Sequence, residues 1–199
     1  MAPSDSTADS TPPAPGVDPR VRRTRQDVLG AALGILTDQG WDAVTHAHLA
    51  AHAGYSRATI YKHWPTRTHL LRDALLQLAD IPHHPPTGDL RADLIGEMRA
   101  FRDGMRDHGL DRAMAVLAEQ ARGPGEIAAV RDELVTGGDR VVRQLLATRL
   151  SGTELAVGTK MLSGAMFYSA LMYGQIPDDD VIVTAVDILL RGTVAAEAG

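Results

Sequence analysis

The chain has 199 residues, 44% of them hydrophobic and 23% charged, with a net charge of -5 and no cysteine. That length allows one extended domain or two small ones around a sizeable core, and the lack of cysteine excludes disulfides, thiolate metal sites and cysteine nucleophiles. No apolar run approaches the ~20 residues of a membrane-spanning helix, and the acidic, Pro/Ser-rich N-terminus lacks the basic-then-apolar order of a secretory signal, so a cytoplasmic protein is the simplest expectation.

Residues 1–20 are rich in Pro, Ser, Thr and Asp and nearly free of large apolar side chains, which predicts a disordered arm. The cluster Arg20, Arg22, Arg23 and Arg25 follows, either reaching toward phosphates or forming the solvated start of a helix. From Arg22 to Gln39, Val28, Ala31, Ala32, Ile35 and Leu36 recur at helical spacing until Gly40 ends the helix. Trp41, Ala43 and Val44 make an apolar connector. Thr45 is a good cap for a short second helix with Leu49, Ala50 and Ala53 inward. After Gly54, Ser56 caps a third short helix from Arg57 to Trp64, and Pro65 stops it. Thr66 caps a fourth, roughly Arg67 to Leu78, whose stripe is Leu70, Leu71, Ala74, Leu75 and Leu78.

The stretch Asp80–Gly88 is broken by Pro82, Pro85, Pro86 and Gly88, so it predicts a loop and a boundary between an N-terminal head and a C-terminal body, with His83 and His84 solvated. Beyond it, helices are expected over Leu90–His108, about Leu110–Ala121, from the Gly123-Pro124-Gly125 break to about Leu150, about Thr153–Tyr173, and about Asp178–Val194. No period-2 strand pattern, internal repeat or Gly-rich phosphate loop is present. The expectation is an all-α protein of about nine helices.

Charge is unevenly spread. Between Arg20 and Arg72 lie eight basic residues and only Asp27, Asp38 and Asp42, leaving that segment at +5 and the remainder at -10. A DNA-facing head on an acidic body would show this asymmetry; chance clustering of solvated charges would also.

Two short helices joined by Ala53-Gly54-Tyr55-Ser56 suit a helix-turn-helix that reads DNA. Small residues let the helices cross closely, glycine admits a left-handed turn, and serine caps the second helix. Such a helix presents its N-terminal side chains to the major groove, here Arg57, Ala58, Thr59 and Lys62. Arginine and lysine can pair guanine O6 and N7, and the threonine methyl can meet a thymine methyl. Tyr61 and His63 are better placed for phosphates.

Residues 25–71 closely resemble the DNA-binding head of the TetR family of bacterial regulators. The resemblance is carried by the Ala31-Ala32 pair, Gly40, Thr45, Leu49-Ala50 and above all the run from Ala53 to Trp64. It implies DNA contacts from Thr45, Ser56, Arg57, Thr59, Tyr61, Lys62, His63 and Arg67. Tyr55 stands where an aliphatic residue is usual, adding either a contact or packing, and Trp64 stands where phenylalanine is commoner, as a core aromatic. The implied organisation is an arm (1–20), a three-helix head (21–66) and a ligand-binding and dimerisation body (67–199), of which 67–79 is the connecting helix.

The stretch from Met161 to Gly192 resembles, more loosely, one type of C-terminal domain in that family, whose last two helices build a four-helix dimer interface. Here Met161, Leu162, Ala165, Tyr168, Ser169 and Met172 would serve, with Val181, Ile182, Ala185, Leu189 and Leu190; an intramolecular core is the other reading. Methionine adapts to promiscuous apolar sites. Met98, Phe101, Met105, Met114, Met166 and Phe167 are therefore candidates for an effector pocket between helices, with plain core packing as the alternative for each.

His48 and His52 have a ligand spacing, but no carboxylate joins them and His46 points to another face, so no metal or other cofactor is expected. Asp178-Asp179-Asp180 suits a helix start. No nucleophile-and-base arrangement is present, so an enzyme is not expected; the family resemblance implies a homodimeric repressor released from a palindromic operator by a small molecule. A helical ligand-binding protein with an inactive head is the alternative.

Overall fold

The computed structural model describes residues 19–122 and 125–197. Nine α-helices and two 3-10 turns make up its regular structure, with no strand among the described residues. The helices are α1 (Pro19–Gln39), α2 (His46–Ala53), α3 (Arg57–His63), α4 (Arg67–Leu76), α5 (Leu90–His108), α6 (Leu110–Gln120), α7 (Glu126–Leu146), α8 (Gly152–Tyr173) and α9 (Asp179–Glu197). The fold is all-α, as the periodicity requires. Residues 1–18 of the predicted arm lie outside the described residues, as do Gly123 and Pro124 of the predicted break.

Each short helix starts where a hydroxyl can accept from its first turn. Thr45 Oγ1 accepts from His48 N, Ser56 Oγ from Thr59 N and Thr66 Oγ1 from His69 N, at 3.1, 3.1 and 3.2 Å. Gly54 sits at φ 72° between α2 and α3, and Gly109 at φ 63° turns α5 directly into α6, two left-handed corners that a Cβ would strain. Two ends differ from the periodic reading. α4 tightens into a 3-10 turn over Gln77–Asp80 that keeps Leu78 buried. α7 stops at Leu146, where the amides of Thr148 and Arg149 and the Thr148 hydroxyl take the last carbonyls.

α1 packs on α2 and α4, α5 on α7 and α9, and α8 on α7 and α9. α4 also lies against α7, and α1 against α6, so one hydrophobic cluster runs from Val28 through Leu71 and Leu75 to Leu146 and Val186. Across the surface of α5 and α9, Arg91 grips Asp187 through both carboxylate oxygens at 2.6 and 3.0 Å, while Arg99 and Arg102 share Asp179. The Asp178 side chain accepts from Val181 N, so the acidic run divides between capping and pairing.

The linker 81–89 is an irregular and largely exposed loop, His83 included, but it is tied down to α5. Asp93 and Glu97, one turn apart on α5 and both buried, bind it down. Asp93 accepts from the Thr87 amide and hydroxyl at 2.7 and 2.6 Å and from Gly88 N at 3.0 Å. Glu97 accepts from His83 Nδ1 at 2.6 Å and from His84 N at 2.9 Å. The His84 ring lies against Gly96, where any Cβ would collide with it at 2.5 Å.

Hydrogen bonds from Thr87, its hydroxyl foremost, hold the Asp93 carboxyl below the usual carboxylate range, against the effect of its burial. With the folded pKa below the unfolded value of about 3.9, the stabilisation is complete above that value and is lost as pH falls through the folded one. Asp93→Asn is therefore expected to lower the urea midpoint at pH 7 and to lower it by less near pH 3. Equal differences at both pH values would show that Asp93 acts only through its shape.

Candidate nucleic-acid interface

The α2–α3 pair is built on apolar pegs. Leu49 of α2 and Ile60 of α3 are fully buried, as is Val44 ahead of them, and Trp64 closes the third helix at 1% exposure. His46 Nε2 hydrogen-bonds the Trp64 carbonyl at 2.7 Å, and the His46 ring stacks flat on Tyr61 with centroids 4.1 Å apart. The Tyr55 hydroxyl donates to Asp27 at 2.9 Å and ties the start of α3 to α1. Tyr55 is half-buried and is engaged internally through this bond.

With its inner face occupied in this way, α3 leaves Arg57, Ala58, Tyr61 and Lys62 exposed, Tyr61 at 51%. Thr45 and Ser56 are exposed as well; Thr59 and His63 are half-buried. The Ser56 and Thr59 hydroxyls lie 2.8 Å apart, so one is engaged with the other. Among the described residues no carboxylate pairs with Arg57 or Lys62. A rigid helix with an aromatic, a hydroxyl and two cations on its open face can meet phosphates and base edges together.

Arg67 has a different placement. Its guanidinium donates to the carbonyls of Val44 and Trp41, the former at 2.8 Å, and lies 5.3 Å from the Trp41 ring centroid. It clamps the start of α4 to the connector before α2, giving the Val44 carbonyl a donor and the Trp41 carbonyl, which already accepts from Val44 N, a second one. Arg25 is likewise engaged, with Asp73 and over the Trp64 ring. Within α1, Arg22 and Arg23 are exposed.

The body holds a cavity of about 430 Å³ bounded by α5, α6, α7, α8 and the linker. Of the residues expected there, Phe101, Met114 and Phe167 line it, the two phenylalanine rings meeting edge to face at 5.2 Å. Met98, Met105 and Met166 do not: each is buried in the core, filling the space between helices. Sequence reasoning missed Ile81, His83, Glu97 and Gly138, which also border the cavity. One signal was present. Val130, Leu134, Val142 and Leu146 form a buried stripe four residues apart on α7, and Gly138 falls on its vacant step.

On the outer side of α8 and α9, Met161, Tyr168 and Met172 are exposed, together with Val157, Val181 and Ile188. Ala165, Ser169, Ala185 and Leu189 are half-buried, but Leu162 and Ile182 point into the chain's own core and present nothing to a neighbour. No helix among the described residues is long and apolar enough to cross a membrane, and no group of three potential ligands could hold a metal ion.

Residues 28–74 match the family described as bacterial regulatory proteins, tetR family, and residues 84–189 match the tetracyclin repressor-like C-terminal domain. The chain is 37% identical over 180 residues to an uncharacterised HTH-type transcriptional regulator of Mycobacterium tuberculosis, covering 83% of this chain and 91% of that one. Its fold is similar to that of a tetR-family transcriptional regulator from Streptomyces coelicolor, with a TM-score of 0.70 at 23% identity over 92% of this chain and 85% of that one. It is also similar to a flavonoid-responsive regulator, FrrA, with a TM-score of 0.64 at 18% identity over 88% and 97% of the two chains.

Proposed function

The chain belongs to the tetR family of bacterial regulatory proteins, DNA-binding helix-turn-helix transcriptional regulators, and from that premise we propose that it is a homodimeric repressor released from a palindromic operator by a small molecule. The observation that carries the reading is the open face of α3. Arg57, Thr59 and Lys62 would meet base edges, and Thr45, Ser56, Tyr61 and His63 would meet phosphates, while Arg67 acts through the clamp. Residues 21–66 would form the head and 67–199 the body, with 67–79 connecting them.

The exposed apolar face of α8 and α9 would meet its copy, placing two α3 helices in successive major grooves. The cavity would hold the effector. Its wall includes Ile81, Pro82 and His83 of the segment that joins head to body, so occupancy can bias the spacing of the two heads. We read the protein as a cytoplasmic regulator without catalytic activity, in line with the family.

A salt-dependent shift assay on DNA flanking its own coding sequence, comparing wild type with Tyr61→Ala plus Lys62→Ala, tests this. Binding should weaken steeply with salt, and the double variant should bind poorly at every salt concentration with a shallower slope. A folded wild-type dimer that binds none of this DNA at low salt would favour a ligand-binding protein with an inactive head.

A further inference from the structure

His46 is the first residue of α2, directly after the capping Thr45, and its side chain is buried at 8% exposure. Its Nε2 lies 2.7 Å from the carbonyl oxygen of Trp64, at the end of α3. A carbonyl only accepts, so Nε2 carries a hydrogen whatever the charge on the ring. That bond pins the imidazole between the start of one helix and the end of the next, and it sets the plane of the ring, since a large turn about χ2 would break it.

The Tyr61 ring lies on this pinned plane, parallel to it at an interplanar angle of 0° with centroids 4.1 Å apart. Tyr61 is nonetheless 51% exposed, and among the described residues no group bonds its hydroxyl. A tyrosine alone on a helix face samples several settings of χ1 and turns about χ2. A flat partner on one face of the ring favours the setting that keeps the stack. Burial and the Trp64 bond serve the fold of the head; the stack falls on a side chain that faces outward.

Resting on the reading of Tyr61 as a phosphate contact, we propose that His46 is a positioning residue for DNA binding. It holds the Tyr61 ring so that the hydroxyl is set to donate to a phosphate oxygen before DNA arrives. A ring fixed in advance is not ordered at the expense of binding, an advantage of about two- to tenfold in affinity for each head.

The test is a double-mutant cycle on the full-length protein, read by fluorescence anisotropy with the DNA flanking its own coding sequence. His46→Gln keeps a donor near the Trp64 carbonyl and removes the flat ring; with both heads engaged it should weaken binding roughly tenfold. His46→Phe keeps a flat ring and removes the donor. It should lower the urea midpoint, yet bind within about twofold of wild type under conditions where it is folded. Tyr61→Phe keeps the stack and removes the hydroxyl, and in that background His46→Gln should cost less than about twofold. Should His46→Gln fail to fold, His46→Leu fills the place without a flat face and runs the same cycle. A loss that persists in full in the Tyr61→Phe background, or binding by His46→Phe as weak as by His46→Gln, would overturn the assignment and leave Tyr61 as a phosphate contact. If Tyr61→Phe alone binds as wild type does, the Tyr61 hydroxyl meets no phosphate and the assignment falls with that reading. Wild-type protein that binds none of this DNA overturns both.

Discussion

Met161→Glu together with Ile188→Glu is expected to yield a folded monomer whose operator affinity is about two to four orders of magnitude below that of the parent. The two side chains are 51% and 53% exposed, so the chain itself loses little packing when they change. They lie on the outer side of α8 and α9 with Tyr168 and Met172, a cluster of exposed apolar side chains of the kind that marks an interaction site. Two-fold pairing of that face would bring four carboxylates into one interface, and unpaired charge there is costly to desolvate. A monomer keeps its α3 surface but holds only one half-site at a time, and the lost effective concentration of the second head sets the size of the drop. Sedimentation equilibrium and fluorescence anisotropy on one operator fragment check both parts. A variant that remains dimeric, with unchanged affinity, would remove this face from the assembly.

Trp64→Ala is expected to cost about 3–5 kcal/mol and to uncouple the head from the remainder of the core. Trp64 holds four elements at once. Its ring is buried under Arg25 of α1, its indole N–H donates to Asp73 of α4 at 3.0 Å, and its carbonyl accepts from His46 of α2. It also ends α3, its own amide donating to Ile60 O at 2.8 Å. Trp64→Phe keeps the aromatic filling and gives up the indole hydrogen bond, for a loss of about 1 kcal/mol. Urea unfolding followed by circular dichroism measures the difference between the two. Equal, small losses in both variants would mean that the head tolerates a cavity at this point.

The helix-turn-helix was legible because its signals are local. Thr45, Ser56 and Thr66 each cap a turn three residues on, Gly54 supplies the left-handed corner, and Pro65 ends α3; none of these needs a distant neighbour. Arg67 shows where that legibility stops. A cation at the start of a helix in a basic head reads as a phosphate ligand, yet its partners are the carbonyls of Val44 and Trp41, more than twenty residues away. The same holds for His83 and His84. Between prolines they read as solvated; His83 is indeed exposed, but only α5 supplies the Glu97 that bonds it and the groove at Gly96 that half-buries His84.

The sequence by itself determined the all-α class, the helices and their caps, and the motif that marks a DNA-binding regulator, since period, capping and turn chemistry act over a few residues. Tertiary structure alone decided which apolar residues face inward or outward. Met161 and Leu162 are neighbours of similar hydrophobicity, and the rotation of α8 against α7 and α9 exposes one and buries the other. It also decided that Met98, Met105 and Met166 fill the core while Gly138, with no side chain, opens a cavity. Such a space is a property of packed helices together, fixed by what five segments leave unfilled, and no single stretch of chain encodes it.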